Sequence, residues 1–341
     1  MQRPIRGIVY GVGAMGAIMA RLMLEKGVEI VGAVARSPEK IGRDLGDVAG
    51  LGVETGVLVE ADARRALERG ADVAVVSVSS YLSSMFDHFR LCLEHGTNVV
   101  TIEEETVWPW GTAPELAFEL DRIARAGGAS LAACGAQDVF WMKLVATLMG
   151  AAHRIDSVVG RCSWNADDYG PEVAAHVHLG ESPQEFERYV AEHGWPDFVA
   201  RANLEALIAD CGLTPAGVSS SVEPVAAEVD TPSTSLGGLV RAGRMLGIVD
   251  STTIATVEGP TFTFEMAGRV YGEGESDTNE WLIHGEPELH LANDRVPTRL
   301  ITCTSVVNRI PDVIAAPPGL VTLDRLPQPR YRHFSLERYL R

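Results

Sequence analysis

A short apolar run over residues 5–10 breaks into Gly11-Val12-Gly13-Ala14-Met15-Gly16, and residues 14–26 then carry apolar side chains at helical spacing. A G-x-G-x-x-G set between a strand and a helix constrains this chain more than any other feature, because each glycine has its own physical reason. Gly11 permits a tight turn, Gly13 lets backbone approach a pyrophosphate, and Gly16 lets helix and strand pack closely. The first N–H groups of the helix, at the positive end of its dipole, then face the phosphates. The motif predicts a dinucleotide site built on Gly11, Val12, Gly13, Ala14, Met15 and Gly16.

The end of the second strand discriminates between cofactors. Residues 28–35 alternate and are rich in valine, as a strand should be. About 20 residues past the glycines, a site for NAD places an acid to hold the ribose 2′-hydroxyl. Here Ala35 stands at that point, followed by Arg36, Ser37 and Lys40. A missing acid and a planar guanidinium suit a 2′-phosphate. NADP is the expected cofactor, with use of NAD left open.

Residues 1 to about 135 alternate strand and helix. Strands are expected at 5–10, 29–35, 56–59, 73–78, 98–102 and 130–133, and helices at 14–25, 61–69, 82–95 and 114–126. Near-continuous apolar runs such as 73–78 suit parallel strands buried on both faces. The alternation implies a doubly wound parallel sheet of Rossmann type. Ligands of such sheets sit beyond the carboxyl ends of the strands, which brings Ser77, Val78 and Ser79 and the stretch 102–105 next to the cofactor. From about residue 141, longer alternating segments (155–164, 218–229, 252–257, 261–270, 280–291) read as a mainly antiparallel sheet, with a helical insertion at 183–193 and 196–210. The expected organisation is α/β: a dinucleotide-binding domain over 1–140, and an α+β domain over 141–297 for substrate binding and dimerisation. A helix at 298–315, interrupted by Pro311, and an extended proline-containing tail should return to the first domain.

A formal net charge of −17 with no basic stripe argues against nucleic acid. No apolar run reaches the ~20 residues that span a bilayer, and a strand beginning by residue 5 leaves no room for a signal peptide. The scattered Cys92, Cys134, Cys162, Cys211 and Cys303 show no metal-like cluster and suit reduced thiols in the cytoplasm. His176 and His178 lack a third ligand at sensible spacing, so no metal is expected.

Two stretches carry the chemistry. Glu103-Glu104-Glu105 directly follows the fifth strand, and Trp108 and Trp110 argue against its full exposure. A partly buried carboxylate there can hold a cationic amine or iminium before the nicotinamide, or take a proton. The second stretch, Gly135 to Lys143, opens a helix whose first turn includes Gln137, Asp138 and Trp141. Asp138 suits a helix cap or dipole partner, and Trp141 a wall of the pocket. No arginine stands clearly placed for a substrate carboxylate, which favours an uncharged substrate.

The glycine motif, Lys40-Ile41-Gly42-Arg43-Asp44-Leu45-Gly46, Glu103-Glu104, Gln137-Asp138-Val139-Phe140-Trp141 and Asn308-Arg309-Ile310-Pro311 together resemble the 2,4-diaminopentanoate dehydrogenase family, which includes native amine dehydrogenases. The resemblance implies reversible NAD(P)H-dependent reductive amination of a ketone or aldehyde with ammonia. It places the catalytic carboxylate on Glu104, with Glu103, Gln137, Trp141 and His176 around the substrate and Asn308 joining the cofactor set. The acidic run is one residue longer than the family's, so Glu103 and Glu105 compete for the catalytic place. Two related enzyme types fit less well. Dihydrodipicolinate reductases carry a His-His dipeptide that this chain lacks, and inositol dehydrogenases carry a Glu-Lys-Pro where this chain has three glutamates. A homodimer is expected through the second domain.

Overall fold

Parallel strands shielded on both faces need apolar side chains on both, and Val73–Val76 is buried throughout in the computed structural model, which describes residues 3–340. The chain opens with β1 (Arg6–Tyr10), α1 (Ala14–Glu25), β2 (Glu29–Val34), α2 (Leu45–Val48), β3 (Val59–Glu60) and α3 (Ala63–Leu67). It continues through β4 (Val73–Val76), α4 (Leu82–Glu94), β5 (Asn98–Thr101), α5 (Pro114–Gly127) and β6 (Ser130–Ala133). A π-helix at Gln137–Lys143 runs into α6 (Leu144–Met149).

Then come β7 (Arg154–Asn165), α7 (Pro171–His176), α8 (Pro183–His193), α9 (Phe198–Asp210), β8 (Pro215–Ala226) and a small hairpin of β9 (Thr231–Ser233) and β10 (Gly238–Val240). The strands β11 (Met245–Thr256), β12 (Thr261–Arg269), β13 (Thr278–Glu286) and β14 (Leu289–Asp294) follow, and α10 (Thr298–Ile314) and β15 (Gly319–Leu320) close the chain. Two compact units result, one from residues up to Lys143 with Arg299 onward, the other from Leu144–Thr298.

The first unit holds a seven-stranded sheet in the order β15-β6-β5-β4-β1-β2-β3, with every pair parallel. The order reverses between β1 and β4, so the loops after these two strands flank the switch point where doubly wound sheets bind ligands. Helices α3, α4 and α5 bury Ala66, Leu82, Phe89 and Leu120 in one core with Ile8, Val76 and Leu131 of the sheet. Helix α1 buries Met19, Ala20 and Met23 against β1, β2 and β4.

The second unit holds a six-stranded sheet, β14-β13-β7-β12-β11-β8. It is mainly antiparallel as expected, with one exception: β7 and β12 run parallel, Ser157 beside Thr261. Alternate burial along β12 inserts Phe262, Phe264 and Met266 into the core. No helix among the described residues is long and apolar enough to cross a membrane.

Several boundaries differ from the sequence reading, each for a tertiary reason. The strand expected at 280–291 is two, because Pro287 has no N–H to continue a ladder and the chain reverses there, pairing Ile283 with Leu289. The strand expected at 56–59 shrinks to the edge strand β3. Helix α10 is not interrupted at Pro311 but runs through it. A mid-helix proline forfeits one bond and strains the preceding turn. Here the flanks are pinned, by Ser130 Oγ donating to the Val313 carbonyl at 2.6 Å and by the ion pair of Arg309 described below. The tail is not simply extended: Gly319–Leu320 adds the seventh strand beside β6, and 3-10 turns form at Leu323–Arg325 and Leu336–Tyr339.

Candidate active site

The glycine loop follows β1 at the switch point. Gly11 has φ +105°, and a Cβ there would lie 2.2 Å from the Ser77 carbonyl oxygen. A Cβ on Gly16 would lie 1.9 Å from the Gly11 carbonyl oxygen, so this glycine admits α1 against the loop itself. Gly13 is the opposite case: a Cβ there meets nothing within 4 Å, and the residue caps α1 with no side-chain bond. Backbone is thus left open at a helix N-terminus, which fits a dinucleotide diphosphate.

Gly13, Ala14 and Met15 are accessible while Val12 is buried. Lys40 lies across the loop, its Nζ donating to the Val12 carbonyl at 2.8 Å. Arg36 is exposed just past β2, and the Ser37 hydroxyl donates to the Glu39 carboxylate. After β4, Ser77 Oγ donates to the Gly11 carbonyl at 3.1 Å, and Val78 and Ser79 are half-buried.

The three carboxylates after β5 have three different fates. Thr101 Oγ1 donates to the Val76 carbonyl of β4 and accepts from the Glu103 N–H, fixing the start of the loop. Glu103 turns inward, 1% exposed, and its carboxylate accepts the N–H groups of Glu105 at 2.8 Å and Thr106 at 2.9 Å. Burial pushes its carboxyl up to about 8 against those donors. Glu105 accepts the Leu82 N–H at 3.0 Å and so caps α4. Glu104, between them, caps nothing. Its side chain keeps partial access to solvent, yet the surrounding protein pushes its carboxyl up to about 7, with the Ser80 hydroxyl pulling the other way.

Past β6, the stretch opened by Gly135 is a π-helix, a wider winding that periodicity alone does not reveal and that recurs at functional sites. Gln137 is buried and its Nε2 finds no hydrogen-bond partner, while Trp141 is buried on the same stretch. Asp138 lies in the first turn of this helix, as a dipole partner would, but the expected cap is replaced by an ion pair. Its carboxylate takes a bidentate pair from Arg309 of α10, at 2.6 and 2.8 Å, with both side chains essentially unexposed. Arg309 also donates to the Pro327 carbonyl and to Asp312, which in turn holds Arg332. Asn308 lines a cavity of about 250 Å³ with Asp138, Ser305 and Arg309.

Glu104, Ser77–Ser79 and the glycine loop therefore share the carboxyl edge of one sheet, with Gln137 and Trp141 beyond its next strand. His176 belongs to the second unit, where its ring lies 5.2 Å from that of Trp195. Sequence reasoning missed the cap made by Glu105 and the partner of Asp138. These bonds join positions 23 and 171 residues apart, and no local pattern announces them.

The profile of the 2,4-diaminopentanoate dehydrogenase C-terminal domain matches residues 140–338. The 2,4-diaminopentanoate dehydrogenase of Acetoanaerobium sticklandii is 32% identical over 337 residues, 96% of this chain and 94% of that one. The chain belongs to the 2,4-diaminopentanoate dehydrogenase family. It is an oxidoreductase. The solved amine dehydrogenase of Mycobacterium smegmatis is 52% identical to this family member, with a TM-score of 0.92 covering 96% of this chain and 97% of that one. Myo-inositol 2-dehydrogenase of Lactobacillus plantarum shares the fold at 14% identity and a TM-score of 0.60, over 99% and 94% of the two chains.

Proposed function

We propose that this family member is an NADPH-dependent amine dehydrogenase that joins ammonia to a ketone or aldehyde, and oxidises the amine in the reverse direction. The observation that carries the reading is the fate of Glu104. Its neighbours Glu103 and Glu105 are committed to backbone N–H groups, whereas the Glu104 carboxylate meets only the Ser80 hydroxyl and has an affinity for protons near neutrality. Such a group exchanges protons at working pH.

Glu104 binds ammonium and takes its proton, releasing ammonia to attack the carbonyl. Glu104 then returns that proton to the carbinolamine hydroxyl, which leaves as water, and the regenerated carboxylate stabilises the iminium by its charge. Gln137 and Trp141 bound the substrate. The open backbone at Gly13, with Ala14, Met15, Ser77, Val78, Ser79 and Asn308, holds the dinucleotide, and Arg36, Ser37 and Lys40 favour its 2′-phosphate. When bound, the nicotinamide supplies or accepts the hydride. A cytoplasmic homodimer completes the proposal.

The test is NADPH consumption with short ketones and aldehydes, with and without ammonium. Ammonium-dependent oxidation is the expected result. Turnover that ignores ammonium points to an alcohol-forming reductase and removes the partner proposed for Glu104. Bound NADPH without any turnover points to a dinucleotide sensor.

A further inference from the structure

His88 lies on α4, outside the sequence motifs, yet its ring is held by the residue that leads into the glycine loop. The hydroxyl of Tyr10, the last residue before Gly11, meets His88 Nδ1 at 2.7 Å, and the two rings stand edge to face at 5.2 Å. Tyr10 pairs with Val34 at the end of β2, so the segment carrying Arg36 emerges next to it, and the Arg36 charge reaches both Tyr10 and His88. That segment is where a dinucleotide site distinguishes a 2′-phosphate from a 2′-hydroxyl.

We propose that His88, held on Tyr10 beside Arg36, is a further member of the 2′-phosphate site and makes NADP recognition depend on its protonation. The inference rests on the reading of NADP as cofactor. With the Tyr10 hydroxyl donating to Nδ1, neutral His88 carries its proton on Nε2, the nitrogen left for a ligand. Burial and the Arg36 cation hold the imidazole below its ordinary range in the free protein. The other groups acting on the pair are Asp87 on the same helix, Asp62 at the start of α3 and the buried Cys92 thiol, which burial keeps protonated. A phosphate between Arg36 and His88 reverses the balance: its charge favours imidazolium, so the complex takes up a proton that the free protein lacks. Affinity for NADPH then rises as pH falls through the histidine range, while NADH, without the phosphate, shows no such change.

The phosphate itself ionises at about 6, so the comparison is made between wild type and His88→Asn, which cancels the contribution of the ligand. Asparagine keeps an acceptor for Tyr10 and does not titrate. Binding of NADPH and NADH is followed by fluorescence from pH 5.5 to 8, with proton uptake from calorimetry in two buffers of different ionisation enthalpy. The expected result is that His88→Asn weakens NADPH roughly tenfold at the acid end, the loss of one charge-assisted bond, leaves pH 8 and NADH unchanged, and lowers proton uptake with NADPH. Tighter binding of NADPH than NADH with identical proton uptake in both proteins keeps the NADP reading and overturns the role of His88. Equal affinities for both cofactors in wild type overturn both. Should the variant misfold, wild-type proton uptake that exceeds phosphate titration with NADPH and vanishes with NADH supports the proposal, and uptake no greater than that of the phosphate refutes it.

Discussion

The glycine loop after β1 and the acidic loop after β5 lie at the same edge of one sheet and are built on opposite principles. The first works by missing side chains: two glycines admit neighbouring backbone within contact distance, and the third leaves a helix N-terminus open. The second works by side chains of one kind sorted through their partners. Glu103 folds its own loop, Glu105 caps α4, and the Glu104 side chain does neither. A site of the first kind is specified by short-range sterics, one of the second by hydrogen bonds to distant parts of the chain.

The acidic loop is broken most severely at its middle member. Glu104→Gln should lower turnover by about 10²–10⁴-fold while leaving NADPH binding intact, as expected when a general base is removed. In the unaltered enzyme kcat/KM should fall below about pH 7, where Glu104 takes up its proton and can no longer accept one from ammonium. Glu103 should behave differently. A carboxyl raised to about 8 binds more protons folded than unfolded, so its contribution to stability is present at low pH and is lost as pH rises through about 8. Glu103→Gln should flatten thermal stability between pH 5 and 8 without placing a new limb in the rate profile. A variant at Glu103 that loses turnover as completely as one at Glu104, with its melting curve unchanged, would exchange the two roles.

A carboxylate satisfied by a guanidinium rather than by backbone sharpens the contrast. Asp138 and Arg309 form a bidentate pair with exposures of 0% and 1%. Removing one charge strands the other in the interior. Arg309→Met should therefore cost about 3–5 kcal/mol in denaturant unfolding. A loss under 1 kcal/mol would mean that solvent or another cation reaches Asp138.

The same contrast explains what the sequence disclosed. The glycine loop, α1, β1, β4 and β6 follow from spacing and composition, and so does the doubly wound order. At the acidic loop the sequence offered three adjacent candidates for the proposed base, because a carboxylate directly after β5 lies at the cofactor edge. It did not sort them, since the sorting depends on the Leu82 N–H, 23 residues away, and on the turn that Glu103 closes upon itself. The Asp138 pair stayed hidden for the same reason: a residue at a helix start reads as a cap, and nothing local names a partner 171 residues on. The unbroken α10 reflects tertiary contacts overriding the local preference of Pro311.

Within the glycine loop, two substitutions separate packing from binding. Gly16→Ala drives a methyl into the Gly11 carbonyl at 1.9 Å, where backbone must shift, and should destabilise the protein by about 1–3 kcal/mol and weaken NADPH together. Gly13→Ala meets no atom of the chain within 4 Å. It should leave the melting temperature in place and still weaken NADPH, because the added methyl stands where the diphosphate approaches. Titration and thermal unfolding of the pair decide the point. If Gly13→Ala binds NADPH as wild type does, the diphosphate lies elsewhere.

The smallest effect belongs to Glu105, whose work is a cap across two loops. Glu105→Ala removes the acceptor for the Leu82 N–H and should cost about 0.5–2 kcal/mol, the range of a lost helix cap. Glu105→Gln retains an amide oxygen for the same N–H and should recover most of that stability. The activity readout distinguishes a cap from a reacting group. Because the bond ties the loop of Glu104 to the segment carrying Ser80, which hydrogen-bonds Glu104, Glu105→Ala should also displace the acid limb of kcat/KM toward higher pH, and Glu105→Gln should restore it. A Glu105→Gln protein that stays stable but loses turnover by orders of magnitude would make Glu105 the reacting carboxylate and leave Glu104 as its neighbour.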